Sequence, residues 1–419
     1  MNRSLLTLAI TASVMAWGSA HAQGLSYLGQ QIVPTGTQFS GTTVGGLSAI
    51  DYDAANSRYF AISDDRSGIN PARLYTLSLA LTQFQRSATA GSAGVSFTSV
   101  TTIQTPAGSA FATNTVDPEG LRLDATRNTL YWSNEGQRSA AGFQNPTVRE
   151  MTLGGSHVRD FSVPARYNPL GSTAGTTAGD RGVRNNLAFE NLTLSRDGKT
   201  LWAATENALV QDGAAASVAN GSASRFLSFD VASGDAGAEY VYHVAPVVLP
   251  PAASGQFATN GLTDFLALND HQFITIERSF AVGAATPGVS PQGAATGNSI
   301  RLFLADTTGA SDVSGVDSLA TLNFVPVSKT LLLDLSTLKN SDDSTLALDN
   351  IEGITFGPLL DDLPTLILVS DNNFGGTQFT QFIALSVTSP IPEPQTYALL
   401  LAGLIGIGFV VRRQLTPRQ

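Results

Sequence analysis

The chain has 419 residues, of which only 13% are charged; 23 Lys+Arg stand against 33 Asp+Glu, for a formal net charge of −10, and there is no cysteine. Without cysteine there is no disulfide framework, thiol nucleophile, Cys-ligated zinc or iron–sulfur cluster, and an acidic chain is a poor partner for nucleic acid. A chain that is 42% apolar with 40 glycines can bury a large core, and its sparse charge points to an all-β, exported or surface protein.

In chain order, residues 1–22 predict a secretory signal peptide. Arg3 supplies the positive start, Leu5 to Trp17 the apolar stretch, and Ala20-His21-Ala22 the small-x-small cleavage pattern. The next element, the strand Leu25–Val33, has no local partner. One pattern then recurs five times: a strand opened by a Gly/Glu signal, a tight turn, and a second strand ending in acid. The copies run from Gly45-Gly46-Leu47 to Asp64-Asp65, Glu119-Gly120-Leu121 to Glu135, Glu190-Asn191-Leu192 to Glu206, Asn260-Gly261-Leu262 to Glu277, and Glu352-Gly353-Ile354 to Asp371. Their apolar anchors lie 74, 71, 70 and 92 residues apart, a period that means stacked or radial repeats. Turns such as Asp124-Ala125-Thr126-Arg127-Asn128 and Ser195-Arg196-Asp197-Gly198-Lys199 carry the residues that hairpins need.

Each unit adds two further strand-like runs, Arg73–Leu81 and Val95–Ile103 in the first, Arg225–Val231 and Glu239–Val244 in the third. Four antiparallel strands per unit is the content of a propeller blade. The last unit has three strands, 352–356, 365–370 and 379–387, so Leu25–Val33 is expected to complete it and close the ring. The predicted fold is therefore an all-β propeller of five four-stranded blades over residues 23–389. The extra length between 277 and 352 is read as an insertion, with a sixth, degenerate blade in 300–350 as the alternative.

The C-terminal residues 390–419 begin with Pro390-Ile391-Pro392-Glu393-Pro394, continue with an apolar run from Tyr397 to Val411 and end in Arg412-Arg413. About 15 apolar residues barely span a bilayer, and the basic end stays cytoplasmic. This order resembles the PEP-CTERM sorting tail of exopolysaccharide-producing Gram-negative bacteria. The resemblance implies transient residence in the inner membrane, removal of the tail by an exosortase-type enzyme, and a periplasmic, cell-surface or extracellular destination.

In a hairpin, the opening of the first strand and the end of the second lie side by side, opposite the turn. Radial repetition then gathers Asp64, Asp65, Glu119, Glu135, Glu190, Glu206, Glu277, Glu352 and Asp371 at one mouth of the ring, with Asp117 and Asp264 close by; Gly45 and Asn260 interrupt the series. Such acids also cap backbone N–H groups at strand ends. As a set they suit a hard cation, Ca2+, held by Asp64, Asp65, Glu135, Glu206, Glu277 and Asp371. Arg66, Arg138 and Arg278 follow the acids closely and are placed to pair with them, and Arg181 and Arg184 lie in the loop Pro164–Asn186 that leads into the third unit. No Gly-x-Ser-x-Gly elbow, Gly-x-x-x-x-Gly-Lys loop or His-Glu-x-x-His pair occurs.

The repeated Glu-Gly-Leu, Glu-Asn-Leu and Glu-Gly-Ile signals, each answered by an acid, resemble the family called esterase-like activity of phytase over nearly all of residues 40–388. The resemblance implies a propeller related to calcium-dependent phytases, with Glu119, Glu135, Glu190, Glu206, Glu277, Glu352 and Asp371 as catalytic candidates. The implied function is calcium-dependent hydrolysis of a phosphate ester, with Arg66, Arg138, Arg278, Arg181 and Arg184 as candidates to hold the phosphate oxygens. The other reading is a non-catalytic propeller that binds surface polysaccharide or matrix protein.

Overall fold

The computed structural model describes residues 24–388; the segments read as signal peptide and sorting tail lie outside the described residues. Five four-stranded antiparallel sheets stand around a common axis. Blade 1 comprises the strands Leu47–Asp53, Arg58–Ser63, Arg73–Leu79 and Val95–Thr102, from the axis outward. Blade 2 comprises Pro118–Asp124, Thr129–Asn134, Thr147–Thr152 and His157–Asp160. Blade 3 comprises Phe189–Leu194, Thr200–Thr205, Ser222–Asp230 and Ala236–Val244. The innermost strands of blades 4 and 5 are Ala258–Ala267 and Asn350–Leu360, and each innermost strand packs on the next so that blade 5 returns to blade 1.

The ring is sewn shut as expected. Leu25–Val33 forms the outer strand of blade 5, pairing antiparallel with Thr380–Val387 from Leu25 opposite Val387 to Val33 opposite Thr380. The stretch 277–352 is neither a plain insertion nor a sixth blade. Asn298–Asp306 pairs with Gln272–Ala281, and Ser328–Asp334 pairs with Asn298–Asp306, so blade 4 has its full four strands separated by long loops.

The core is divided among the blade interfaces. Phe60, Leu121 and Trp132 fill the space between blades 1 and 2; Tyr131, Phe189 and Leu227 between 2 and 3; Trp202, Phe226 and Phe273 between 3 and 4. Ile274, Ile300 and Leu366 join blade 4 to 5, and Tyr59, Ile367 and Phe382 join 5 to 1. Each buried Leu, Ile or Phe contributes about 1.5–3 kcal/mol over leaving it in water, so every interface is a substantial hydrophobic layer of its own.

One ion pair closes the axis. Arg122, on the innermost strand of blade 2, donates Nη2 to both oxygens of Asp264 of blade 4 at 2.9 and 2.8 Å. Its guanidinium also reaches the carbonyl oxygens of Ile50 in blade 1 and Ile354 in blade 5, both at 3.2 Å. Asp264 in turn accepts the Ile354 N–H at 2.9 Å. Both partners are almost wholly buried, so the channel has a floor.

Candidate active site

Above that floor opens a cavity of about 560 Å3. Its wall is built from a repeated irregularity. Near the cavity end of each innermost strand, pairing with the second strand slips by one residue: at Ser48, at the Glu119-Gly120 step, and at Glu190, Thr263 and Glu352. Such a bulge bends the strand and re-aims a side chain. The second strand contributes the residue at its upper end: Asp64, Glu135, Glu206, Arg278 and Asp371 in blades 1 to 5.

This register differs from the one expected in blades 1 and 4. The place opposite the acid is held by Ser48 and Thr263, where the sequence repeat put Gly45 and Asn260. In blade 4 the ring position falls to Arg278, and Glu277 points elsewhere. Its carboxylate accepts the Tyr242 hydroxyl at 2.8 Å and the Ala245 N–H at 3.0 Å, and it pairs with Lys329. Glu277 is not among the residues lining the cavity. Neither is Asp65, which pairs with Arg73 at 2.7 Å and accepts the N–H groups of Gly68, Ile69 and Asn70.

The other acids do converge. Asp64, Glu119, Glu135, Glu190, Glu206, Glu352 and Asp371 all line the cavity, with Asp117 and Asp349 beside them. Asp349 has no counterpart in the repeated signals, which is why the pattern passes over it. Oxygens of Asp117, Glu119 and Glu135 lie within 4.8 Å of one another. Two guanidinium groups are set among the acids. Arg66 pairs with Asp117, has Glu135 at 3.6 Å and donates to Asn186 at 2.9 Å. Arg278 pairs with Glu352 at 3.0 Å and has Glu206 at 3.5 Å.

The remaining candidate arginines do not line the cavity. Arg138 ties down the loop over blade 3, donating to the carbonyl oxygens of Val183 at 2.9 Å and Leu170 at 3.0 Å as well as to Ser172 and Arg181. Arg184 donates to the Ala208 carbonyl at 3.1 Å, and Arg181 is exposed.

Two cations among nine acids leave much charge uncompensated, and the titration behaviour follows. Burial pushes the Asp64 carboxyl up to about 8, with Glu352 and Asp117 adding repulsion. Burial lifts Asp117 to about 6 against the pull of Arg66, and Glu206 to about 7 against the pull of Arg278. Glu119, Glu135, Glu190 and Asp371 are held well above the carboxylate range, first by burial and then by repulsion from, respectively, Glu190, Asp117, Glu135 and Asp64. Asp64 Oδ1 and Glu206 Oε1 are buried without a hydrogen-bond donor. A pocket of proton-hungry, partly unpartnered carboxyl oxygens can bind cations and move protons near neutral pH.

The sequence model of a family described as phytase-like, esterase-like activity of phytase, matches residues 42–374. No curated protein matches the sequence. Among solved structures, a protein of unknown function from Dyadobacter fermentans is similar at 11% identity, covering 87% of this chain and 99% of its own, with a TM-score of 0.37. A periplasmic gluconolactonase of Pseudomonas aeruginosa is similar at 10% identity, covering 83% of this chain and 87% of its own, with a TM-score of 0.32.

Proposed function

Since the chain belongs to the phytase-like family described by esterase-like activity, we propose that it hydrolyses phosphoric esters in this cavity with the help of a bound divalent cation, Ca2+. The observation that carries the reading is the meeting of Asp117, Glu119 and Glu135 oxygens within 4.8 Å in the wall of a cavity that also holds two arginines. The donor set fits a hard cation. Every oxygen is a carboxylate oxygen, and the buried Asp64 Oδ1 beside them has no hydrogen-bond donor.

Asp117, Glu119 and Glu135 would hold the ion, with Asp64 next to them. When bound, a divalent cation neutralises phosphoryl charge and lowers the pKa of water. The protein's own groups do the rest. Arg66 and Arg278 grip phosphoryl oxygens as charge-assisted donors. Water gives up a proton as its oxygen bonds to phosphorus, the bond from phosphorus to the alcohol oxygen breaks, and that oxygen takes up a proton. Glu206, with a pKa near 7, is suited to hold and release it; Glu190, Glu352 and Asp371 complete the acidic wall. Arg138, Arg181 and Arg184 have no part in this reading. We also read the protein as exported, from the sequence signals in 1–22 and 390–419.

The test is phosphate release from simple monoesters and diesters by the purified protein. Turnover is expected with calcium, is lost with a chelator, and falls at least about 100-fold in Glu135→Gln and Glu206→Gln. Turnover indifferent to the chelator removes the cation. No turnover of any ester removes the hydrolase and leaves a binding propeller for surface polysaccharide.

A further inference from the structure

The cavity is acidic below and aromatic at one side of its mouth. Phe257, just ahead of the innermost strand of blade 4, lines the cavity with 63% of its surface exposed. Phe280, paired into the same blade beside Thr259, lines it too, and the two rings lie 6.2 Å apart at 40°. Neither ring belongs to the packed layers between blades. An aromatic side chain left in water at a cavity mouth, with no structural use, is a contact surface.

The charge of the wall limits what that surface can meet. Nine carboxylates line the cavity against two guanidinium groups, and no lysine lines it among the described residues. Arg66 and Arg278 are both already engaged by acids. One phosphoryl group can be offset there; a ligand carrying many phosphates would set most of them against acidic side chains, with no further cationic residue among those described to offset them.

We infer that the site takes phosphoric esters with a single phosphoryl group on a ring-bearing alcohol, the ring lying on the Phe257–Phe280 wall while the phosphoryl group descends to Arg66 and Arg278. This rests on the hydrolase reading above and narrows its substrate class.

Benzyl phosphate and butyl phosphate test it, because both are esters of primary alcohols and differ mainly in the ring. A ring contact on an aromatic wall is worth up to about tenfold. The protein is therefore expected to favour benzyl over butyl phosphate by about tenfold in kcat/KM, and to act least on inositol hexakisphosphate. In Phe257→Ala the benzyl-to-butyl ratio is expected to fall to about two or less, and Phe257→Trp should keep it. The ratio cancels any loss of folded protein. A ratio near one in the unaltered protein, a ratio unmoved by Phe257→Ala, or a preference for the hexakisphosphate overturns the inference. If no ester is turned over, the hydrolase reading fails by itself, and calorimetric binding of benzyl- and butylphosphonate in calcium buffer decides the ring preference. Equal affinities, or no measurable binding of either, overturn it.

Discussion

Two glycines show how tightly the acids are seated. A Cβ placed on Gly261 would lie 1.9 Å from Glu206 Oε1, and one on Gly46, whose φ is +62°, would lie 2.0 Å from Asp64 Oδ1. The carboxylates occupy the volume where side chains would be, which also denies them room to turn away from their neighbours. Gly261→Ala should therefore displace Glu206 and lower activity by about the same factor as Glu206→Gln, at least about 100-fold, with the circular-dichroism spectrum retained. Full activity in that variant would show that Glu206 does not need its observed place. Arg278 makes a related point. It stands in blade 4 where the other blades carry an acid, and it compensates Glu206 and Glu352 from within the ring.

At the level of strands and blades, the alternation of apolar residues and the Asp/Asn/Gly turns made the hairpins legible, and the unpaired Leu25–Val33 disclosed the closure of the ring. The register of the acids was legible in blades 2, 3 and 5, where a glutamate marks the bulge. In blades 1 and 4 it was not, because Gly46-Leu47 and Gly261-Leu262 imitate the repeated signal while the bulge falls at Ser48 and Thr263. A bulge is a feature of pairing, with no fixed letter. Spacing held a clue: Glu119 and Glu135, and Glu190 and Glu206, are 16 residues apart, as are Ser48 and Asp64. The aromatic wall left no trace in the pattern, since Phe257 and Phe280 read like core residues until their exposure is known. The Arg122–Asp264 pair joins strands 142 positions apart and was equally hidden. Removing one member strands the other in a dry interior. Arg122→Met is expected to cost about 3–5 kcal/mol by urea unfolding, and adding Asp264→Leu should recover much of that loss. Additive losses would mean that the pair is not the pin it looks to be.

Across the whole molecule, the buried acids of the cavity and the axis hold their protons above the usual carboxylate range, whereas turn acids such as Asp197 and Asp230 give them up more readily. Asp117, Asp264 and Asp349 titrate near 6 in the fold, Glu206 near 7 and Asp64 near 8, against about 4 in an unfolded chain. Between these limits the native state binds more protons than the unfolded one, so stability falls as pH rises from about 4 through about 8. The calcium proposed for the cavity needs deprotonated oxygens, so a stabilisation by it is expected to grow over the same interval. Calorimetric melting across that range, with and without calcium, should show Tm declining in the chelated protein and the calcium increment widening; a Tm that climbs with pH in chelator would contradict this. The closure of blade 5 has a further consequence. Leu363–Asp371 climbs to the cavity and Thr380–Val387 descends from it, so Val387 and its partner Leu25 both lie on the opposite side of the ring, where the Thr388 N–H meets the Gly24 carbonyl at 2.8 Å. Gly24 and Thr388 are thus both on the side of the ring opposite the mouth. Protein coupled to a bead through its C-terminus should therefore turn over a bulky soluble ester with the same KM as free protein, and a bead on a cysteine introduced in the 282–297 loop should not allow it.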